Sequence, residues 1–405
     1  MNKYTHGNQV CKRFDLLYGK RSYADFLRYD KLISNFKKHF SSAYCHLASA
    51  SGRVEFIGNH TDHNGGKVIG CAVNLDIISA FKPNGSNTVR ILSQGYSALE
   101  YDVTKSPQLS GPSGLIEGVT MYLQQSGYTV GGFDAYTHST VPSGAGISSS
   151  AAFEMLIATI VNECFNGGKI PVDVMAKAGQ FAENKYLNKP CGLLDQGASL
   201  AGGITLFDFV DGFSCDKIST KNCNLHFVLV NTGKSHAGLS NLYASIPSEM
   251  FAVAKFLSKE RLIDVEPQQL FEKENAICEQ VGNRPYLRAK HFVEENVRVE
   301  QMASALMEGN DDLVIKLINE SGNSSLCQLQ NCAVDANDTV ILDAINFARS
   351  LGNVGVRVHG GGFAGTVLCV VKSCDFKNFV SKMSIKYGEN NIIPLTLRQI
   401  GATGL

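Results

Sequence analysis

Val141 to Glu154 reads VPSGAGISSSAAFE, the composition of an anion cradle. Gly144 and Gly146 let backbone N–H groups come close to an oxyanion, and Ser148, Ser149 and Ser150 follow where a helix should begin. A helix start offers N–H donors without intrahelical acceptors and the positive end of its dipole, so phosphate is the natural ligand. Serine hydroxyls add donors and oxygen ligands for Mg²⁺. An ordinary serine cap after a glycine turn is the plainer reading. A cap needs one serine, however, and three stand here between two glycines and the pair Ala151–Ala152.

A second stretch, SGRVEFIGNHTDHNGG from Ser51 to Gly66, crowds Arg53, Glu55, His60, Asp62 and His63 before a Gly-Gly turn. Two histidines and a carboxylate could suggest a metal, but such a set in a turn is more often a polar loop. Its mixture of acceptors and donors suits a substrate rich in hydroxyl groups. Two other segments imitate known nucleotide loops and fail on context. TGKSH (232–236) resembles the end of a Walker A loop, yet the required glycine falls at Val228 inside an apolar run. HGGGFAGTV (359–367) matches G-x-G-x-x-G-x-V, but a Rossmann turn needs a helix next, and TVLCVV is β-branched. A protein-kinase loop would need its catalytic loop within the 38 residues after Val367. What remains is a strand–glycine turn–strand element that lets backbone press against another surface.

The elements that must carry these segments mix strands and helices, which makes the class α+β. Helical spacing marks residues 31–40, 148–166, 171–187, 246–260, 287–308 and 311–321, and residues 1 to about 48 read as helical and basic. Strand patterns mark 67–81, 89–103, 202–209, 225–231, VGVRVH and TVLCVVK. A chain of 405 residues exceeds one ordinary core, so two domains are expected, 1–200 and 201–405. Lys+Arg and Asp+Glu both total 37, which gives no electrostatic reason for a nucleic-acid or anionic-membrane partner. No run reaches the ~18 apolar residues of a membrane span, and MNKYTHGNQVCKRFD lacks the apolar core of a secretory signal. The twelve cysteines show no C-x-x-C spacing and are expected to be mostly buried, reduced thiols of a cytoplasmic protein.

Taken in order, four segments resemble the GHMP kinases, and galactokinases most of all. GRVEFIGNHTDHNGG stands where galactokinases carry G-R-V-N-x-I-G-E-H-T-D-Y-N-x-G, and PSGAGISSSA where they carry P-x-G-x-G-L-S-S-S-A. CGLLDQ (Cys191–Gln196) matches C-G-x-x-D-Q, and GGGFAG matches G-G-G-F-G-G. The resemblance covers positions 52 to 365 and implies a two-domain GHMP kinase fold. Its N-terminal domain would be ribosomal-S5-domain-2-like and its C-terminal domain ferredoxin-like, with the active site in the cleft.

The implied activity is ATP-dependent phosphorylation of the anomeric hydroxyl of galactose, by a monomer. Pro142, Gly144, Ala145, Gly146, Ser148, Ser149, Ser150 and Ala151 would wrap the ATP phosphates, with Ser150 and Glu183 as Mg²⁺ ligands. Glu183 lies twelve residues before Asp195, as the family's metal carboxylate precedes its catalytic aspartate. Asp195 would be that aspartate and Arg53 its neighbour. Asp195 could act as general base, or Arg53 could hold it ionised so that it only orients the hydroxyl. Asn59, His60, Asp62, Gly192 and Tyr243 would bind the sugar. Three positions depart from the pattern: Glu55 replaces Asn, Asn59 replaces Glu, and His63 replaces Tyr. Losing a charged acceptor at 59 leaves room for a related sugar, such as N-acetylgalactosamine, galacturonate or arabinose. A non-catalytic sugar sensor would be expected to damage the serine loop or the aspartate, and both are intact.

Overall fold

The computed structural model describes residues 13–19, 23–105, 111–142, 146–186, 191–220, 223–234, 238–363 and 365–405. Gly144 and Ala145 of the glycine–serine loop, and Cys11, therefore lie outside the described residues.

Strand β1 (His46–Ile57) turns back through the polar loop 58–66 into β2 (Lys67–Pro83), and the two pair antiparallel. The sheet continues through β5 (Phe133–Ser139), β3 (Thr88–Ser93) and β4 (Leu99–Asp102), with β3 and β5 parallel. The single strand expected over 89–103 is thus a hairpin, because Gly95 takes a left-handed turn with φ +86°. Strand periodicity explains the long apolar run of β2. Ile77 and Phe81 face the helices Gly111–Gln125, Ser149–Phe165 and Val172–Tyr186, while Ile78 and Ala80 meet Tyr29, Leu32 and Phe36 of the helix Tyr23–Phe40. Both faces of the sheet are covered.

Two further strands, β6 (Ile204–Asp208) and β7 (Ser214–Ile218), extend this sheet from β2, so the chain leaves it after Ile218. The second sheet is antiparallel, in the order β11 (Ile392–Leu395), β8 (Leu225–Asn231), β10 (Thr366–Lys372), β9 (Val354–Val358). Val228, Val230, Cys369 and Val371 pack beneath the helices Val340–Ser350 and Phe376–Tyr387. Phe227, Leu229, Leu368 and Val370, on the opposite face, join the core of the first sheet together with Leu317 and Ile318. The chain returns at its end, where β12 (Thr403–Gly404) pairs with β1.

A buried ionic knot ties these turns together: Asp76 accepts from Arg28 at 2.7 Å, Ser49 at 2.7 Å and Tyr18 at 2.5 Å, with Arg398 at 3.3 Å. Burial works against the Asp76 charge, but the two arginines and the hydroxyls hold its pKa below the ordinary carboxylate value. The helix expected from 246 begins at Ser240, so Pro247 lies inside it and not at its start. Cys71, Cys332 and Cys369 are buried, and burial pushes the Cys332 thiol up to about 12. Cys215, Cys327 and Cys374 are exposed and stand outside the expectation of buried thiols. Cys215, for instance, stands on β7, a strand at the sheet edge. No described helix is long and apolar enough to cross a membrane.

Candidate active site

A cavity of about 450 Å³ opens between the two sheets, lined by residues from all four sequence segments. Its floor is the start of the helix Ser149–Phe165. Ser148 occupies the cap position at φ +55° but makes no capping hydrogen bond; its hydroxyl donates instead to Asp195. The plain serine-cap reading is therefore set aside, and the first-turn N–H groups face no intrahelical acceptor.

Arg53 reaches the same point from β1, where the pairing register shifts between Ser51 and Arg53. Such a bulge re-aims a side chain. Arg53 Nε donates to Asp195 Oδ1 at 2.6 Å and Nη2 to Oδ2 at 2.7 Å, a two-pronged contact, while Nη1 donates to the Gly146 carbonyl at 2.6 Å. Burial disfavours the Arg53 cation, but Asp195, then Glu55 and Glu183, outweigh it and lift its pKa above the ordinary value. Asp195 itself sits in the first turn of the helix Leu194–Ala201. Gln196 donates to the buried Glu154 at 3.0 Å, which fastens that helix to Ser149–Phe165. Beside them, the Ser150 hydroxyl donates to Glu183, a fully buried carboxylate on the helix Val172–Tyr186. A hydroxyl and a carboxylate oxygen beside a helix start fit the sparse, all-oxygen ligand set that Mg²⁺ takes alongside substrate phosphates.

The opposite wall is the loop after β1. His60 holds φ +59° and donates from Nε2 to the Gly361 carbonyl at 3.1 Å. Burial lowers its pKa below the ordinary histidine value, against the pull of Glu55 and the Gly361 carbonyl. Asp62 accepts from the His63 N–H at 3.0 Å, and burial, with Glu55 and Asp195 nearby, pushes its pKa up to about 6. Gly192 lies directly against it: a Cβ there would stand 1.6 Å from Asp62 Oδ2. Tyr243 closes the cavity, its hydroxyl donating to the Gly362 carbonyl at 3.1 Å. Ser149 and Pro142 also line it, and Ala151 is buried just beneath.

Asn59 is placed differently from the expectation. It is fully buried and does not line the cavity. Its Nδ2 donates to Glu55 Oε1 at 2.7 Å and to the Gly360 carbonyl at 2.8 Å, and its Oδ1 accepts from Asn331 at 2.7 Å. A side chain whose amide already has protein partners on both ends stands behind the wall, holding it. Glu55, noted in sequence only as a departure, lines the cavity instead. His359 and Gly361 were also missed as lining residues. The glycine turn at 359–365 was legible as an element that lets backbone approach, and what it approaches is this cavity.

Two family models match the chain: the galactokinase galactose-binding signature over residues 34–83 and the GHMP kinases N terminal domain over 114–203. A galactokinase of Lacticaseibacillus casei is 30% identical over 369 residues, covering 88% of this chain and 93% of the relative. The chain belongs to the galactokinase family. A galactokinase of Clostridium tetani is 29% identical over 370 residues, again with 88% and 93% covered. Among solved structures, the Lactococcus lactis galactokinase complexed with galactose superposes with a TM-score of 0.82, at 22% identity over 93% of this chain and all of that one. A mevalonate kinase superposes at 0.60, with 17% identity over 87% and 98% of the two chains. The family fold is thus the two-domain GHMP kinase fold. The chain is an ATP-dependent sugar kinase, and its cavity lies where the galactose signature and the GHMP domain meet.

Proposed function

We propose that the cavity transfers the γ-phosphoryl group of ATP to the anomeric hydroxyl of galactose, giving galactose 1-phosphate. The observation that carries this reading is the position of Asp195, clasped by Arg53 and Ser148 between the helix start at Ser149 and the loop of His60 and Asp62. A phosphate at the helix start and a hydroxyl on the loop side would meet at this carboxylate. Phosphoryl transfer to an alcohol needs positioning and charge neutralisation more than covalent chemistry. Gly146, Ser148, Ser149 and Ser150 supply donors to the phosphates, as would Gly144 and Ala145 of the same loop. Arg53 occupies both oxygens of Asp195, which favours orientation of the attacking hydroxyl over proton abstraction. Ser150 and Glu183 would hold Mg²⁺, whose role there is to neutralise charge on the phosphates. His60, Asp62 and Tyr243 give the sugar a mixed donor and acceptor wall, and Gly192 keeps Asp62 accessible.

The galacturonate alternative fits poorly. Glu55 and Asp62 line the sugar wall with Asp195 beyond them, and Arg53 and Arg357 are already paired with Asp195 and Glu55, so a further carboxylate finds no free cation in this wall among the described residues. The sensor reading would leave the Ser150–Glu183 and Arg53–Asp195 pairs without a task. We place the enzyme in the cytoplasm as a monomer, which sizing by light scattering would check. The test of function is ADP release with Mg·ATP across galactose, N-acetylgalactosamine, galacturonate, arabinose and glucose. Galactose is expected to turn over best and galacturonate not at all. Preference for another sugar would leave the kinase and overturn its substrate; silence with every sugar would overturn the reading.

A further inference from the structure

Glu55 carries a charge into the sugar wall, and only one of its two oxygens is used by the protein. Arg357 Nη2 donates to Oε1 at 2.8 Å, and Asn59 Nδ2 donates to the same atom at 2.7 Å. The Glu55 N–H donates to His359 Nε2 at 3.2 Å, fixing the strand beneath it. Oε2 has no hydrogen-bond partner among the described residues, and the side chain, 8% exposed, lines the cavity beside His60 and Asp62.

A carboxylate retained only as a strut would be expected to meet its arginine with both oxygens, the stronger and geometrically matched arrangement. Arg357 does otherwise. Its Nη1 donates to the Phe56 carbonyl at 3.1 Å and its Nε is buried without a partner, so the guanidinium touches Glu55 at one oxygen. Asn59 then reinforces that oxygen, which leaves Oε2 as the unpaired oxygen of a side chain that lines the cavity. Burying a charge with an unfilled acceptor is costly unless something fills it.

We propose that Glu55 is a specificity-determining residue whose Oε2 accepts a hydrogen bond from a sugar hydroxyl, with Asn59 and Arg357 as the positioning residues that aim it. This rests on the sugar-kinase reading above. A carboxylate only accepts, so it selects for an O–H at that place on the ring and against a hydrogen or an ether oxygen there.

The test compares galactose with its 2-, 3-, 4- and 6-deoxy forms on the wild-type enzyme and on Glu55→Gln, with melting temperature recorded for both. On the wild type, the deoxy sugar lacking the partner hydroxyl should lose about 10- to 100-fold in kcat/KM. On Glu55→Gln, galactose should lose a similar factor, mostly in KM, and the penalty for that one deoxy sugar should collapse while the others persist. Unchanged penalties for all four deoxy sugars would overturn the proposal and leave Glu55 a strut for Arg357. If Glu55→Gln does not fold, Glu55→Asp keeps a carboxylate for Arg357 while withdrawing it from the cavity, and the same comparison decides. A wild-type enzyme inactive on galactose would remove the sugar reading and this proposal together, a result distinct from an active enzyme with unaltered selectivity.

Discussion

The two walls of the cavity are built on different principles. The wall proposed to take phosphate is built within the first sheet and its helices: one helix start, a carboxylate on each of two neighbouring helices, and an arginine from β1. The wall proposed to take sugar is the loop between β1 and β2, held in place by residues 291–331. The Gly58 N–H donates to Glu295 at 3.1 Å, the Asn59 carbonyl accepts from His291 at 2.9 Å, and Asn59 Oδ1 accepts from Asn331. Glu295 is buried, which alone would raise its pKa, yet His291, Arg298 and Arg357 bring it down to about 2; burial lowers that of His291 to about 4. Changes in the phosphate wall should therefore strike turnover with little effect on folding. Changes behind the sugar wall should strike sugar affinity and stability together.

The largest expected effect is in the first wall. Asp195→Asn should lower kcat by about 10³-fold while ATP binding, measured by calorimetry, stays within a few-fold. Equal loss of ATP affinity would blur the division. Gly192→Ala comes next: with its Cβ driven into Asp62, the sugar KM should rise by about 10²-fold at an almost unchanged melting temperature. Removing an anchor behind the loop should read differently. Arg357→Met strands the Glu55 charge in a buried site and should cost about 3–5 kcal/mol in denaturant unfolding, with sugar KM rising in parallel. If Arg357→Met left stability untouched, the second domain would not be holding the wall.

A smaller effect separates the walls by pH. Asp62 has a pKa raised to about 6, so it is protonated below that value and loses its acceptor charge. Sugar KM should climb as pH falls through about 6, while the KM for ATP does not follow it. The linkage sign is opposite for stability: a carboxyl with a raised native pKa favours the folded state below its unfolded value and loses that contribution as pH rises through about 6. Asp62→Asn should then melt higher at neutral pH, on the order of 1–3 °C, while binding sugar more weakly. A variant that melts lower would contradict this account of Asp62.

The sequence made the phosphate wall readable because its chemistry is contiguous. Three serines after two glycines declare a helix start, and Asp195 and Glu183 fall on helices whose periodicity is plain. The sugar wall was half legible. His60 and Asp62 stand in one loop, but their anchors come from positions more than two hundred residues away. Arg288, His291 and Glu295 lie in a charged stretch, RAKHFVEE, that has the composition of a solvated helix face and is instead buried. β1 was missed for a related reason. Ser49, Ser51, Arg53 and Glu55 give it a polar pattern, yet all four are buried, because their partners reside on other elements. Asn59 shows the limit most clearly: the family resemblance implied a substrate contact there, and only the geometry of Asn331 and Gly360 turns it away from the cavity.

The most direct test of the central claim is phosphorus NMR of the product formed from Mg·ATP and galactose. The account predicts a single sugar phosphate, galactose 1-phosphate, appearing in step with ADP and absent with Asp195→Asn. Phosphate on another hydroxyl, or free phosphate alone, would contradict it.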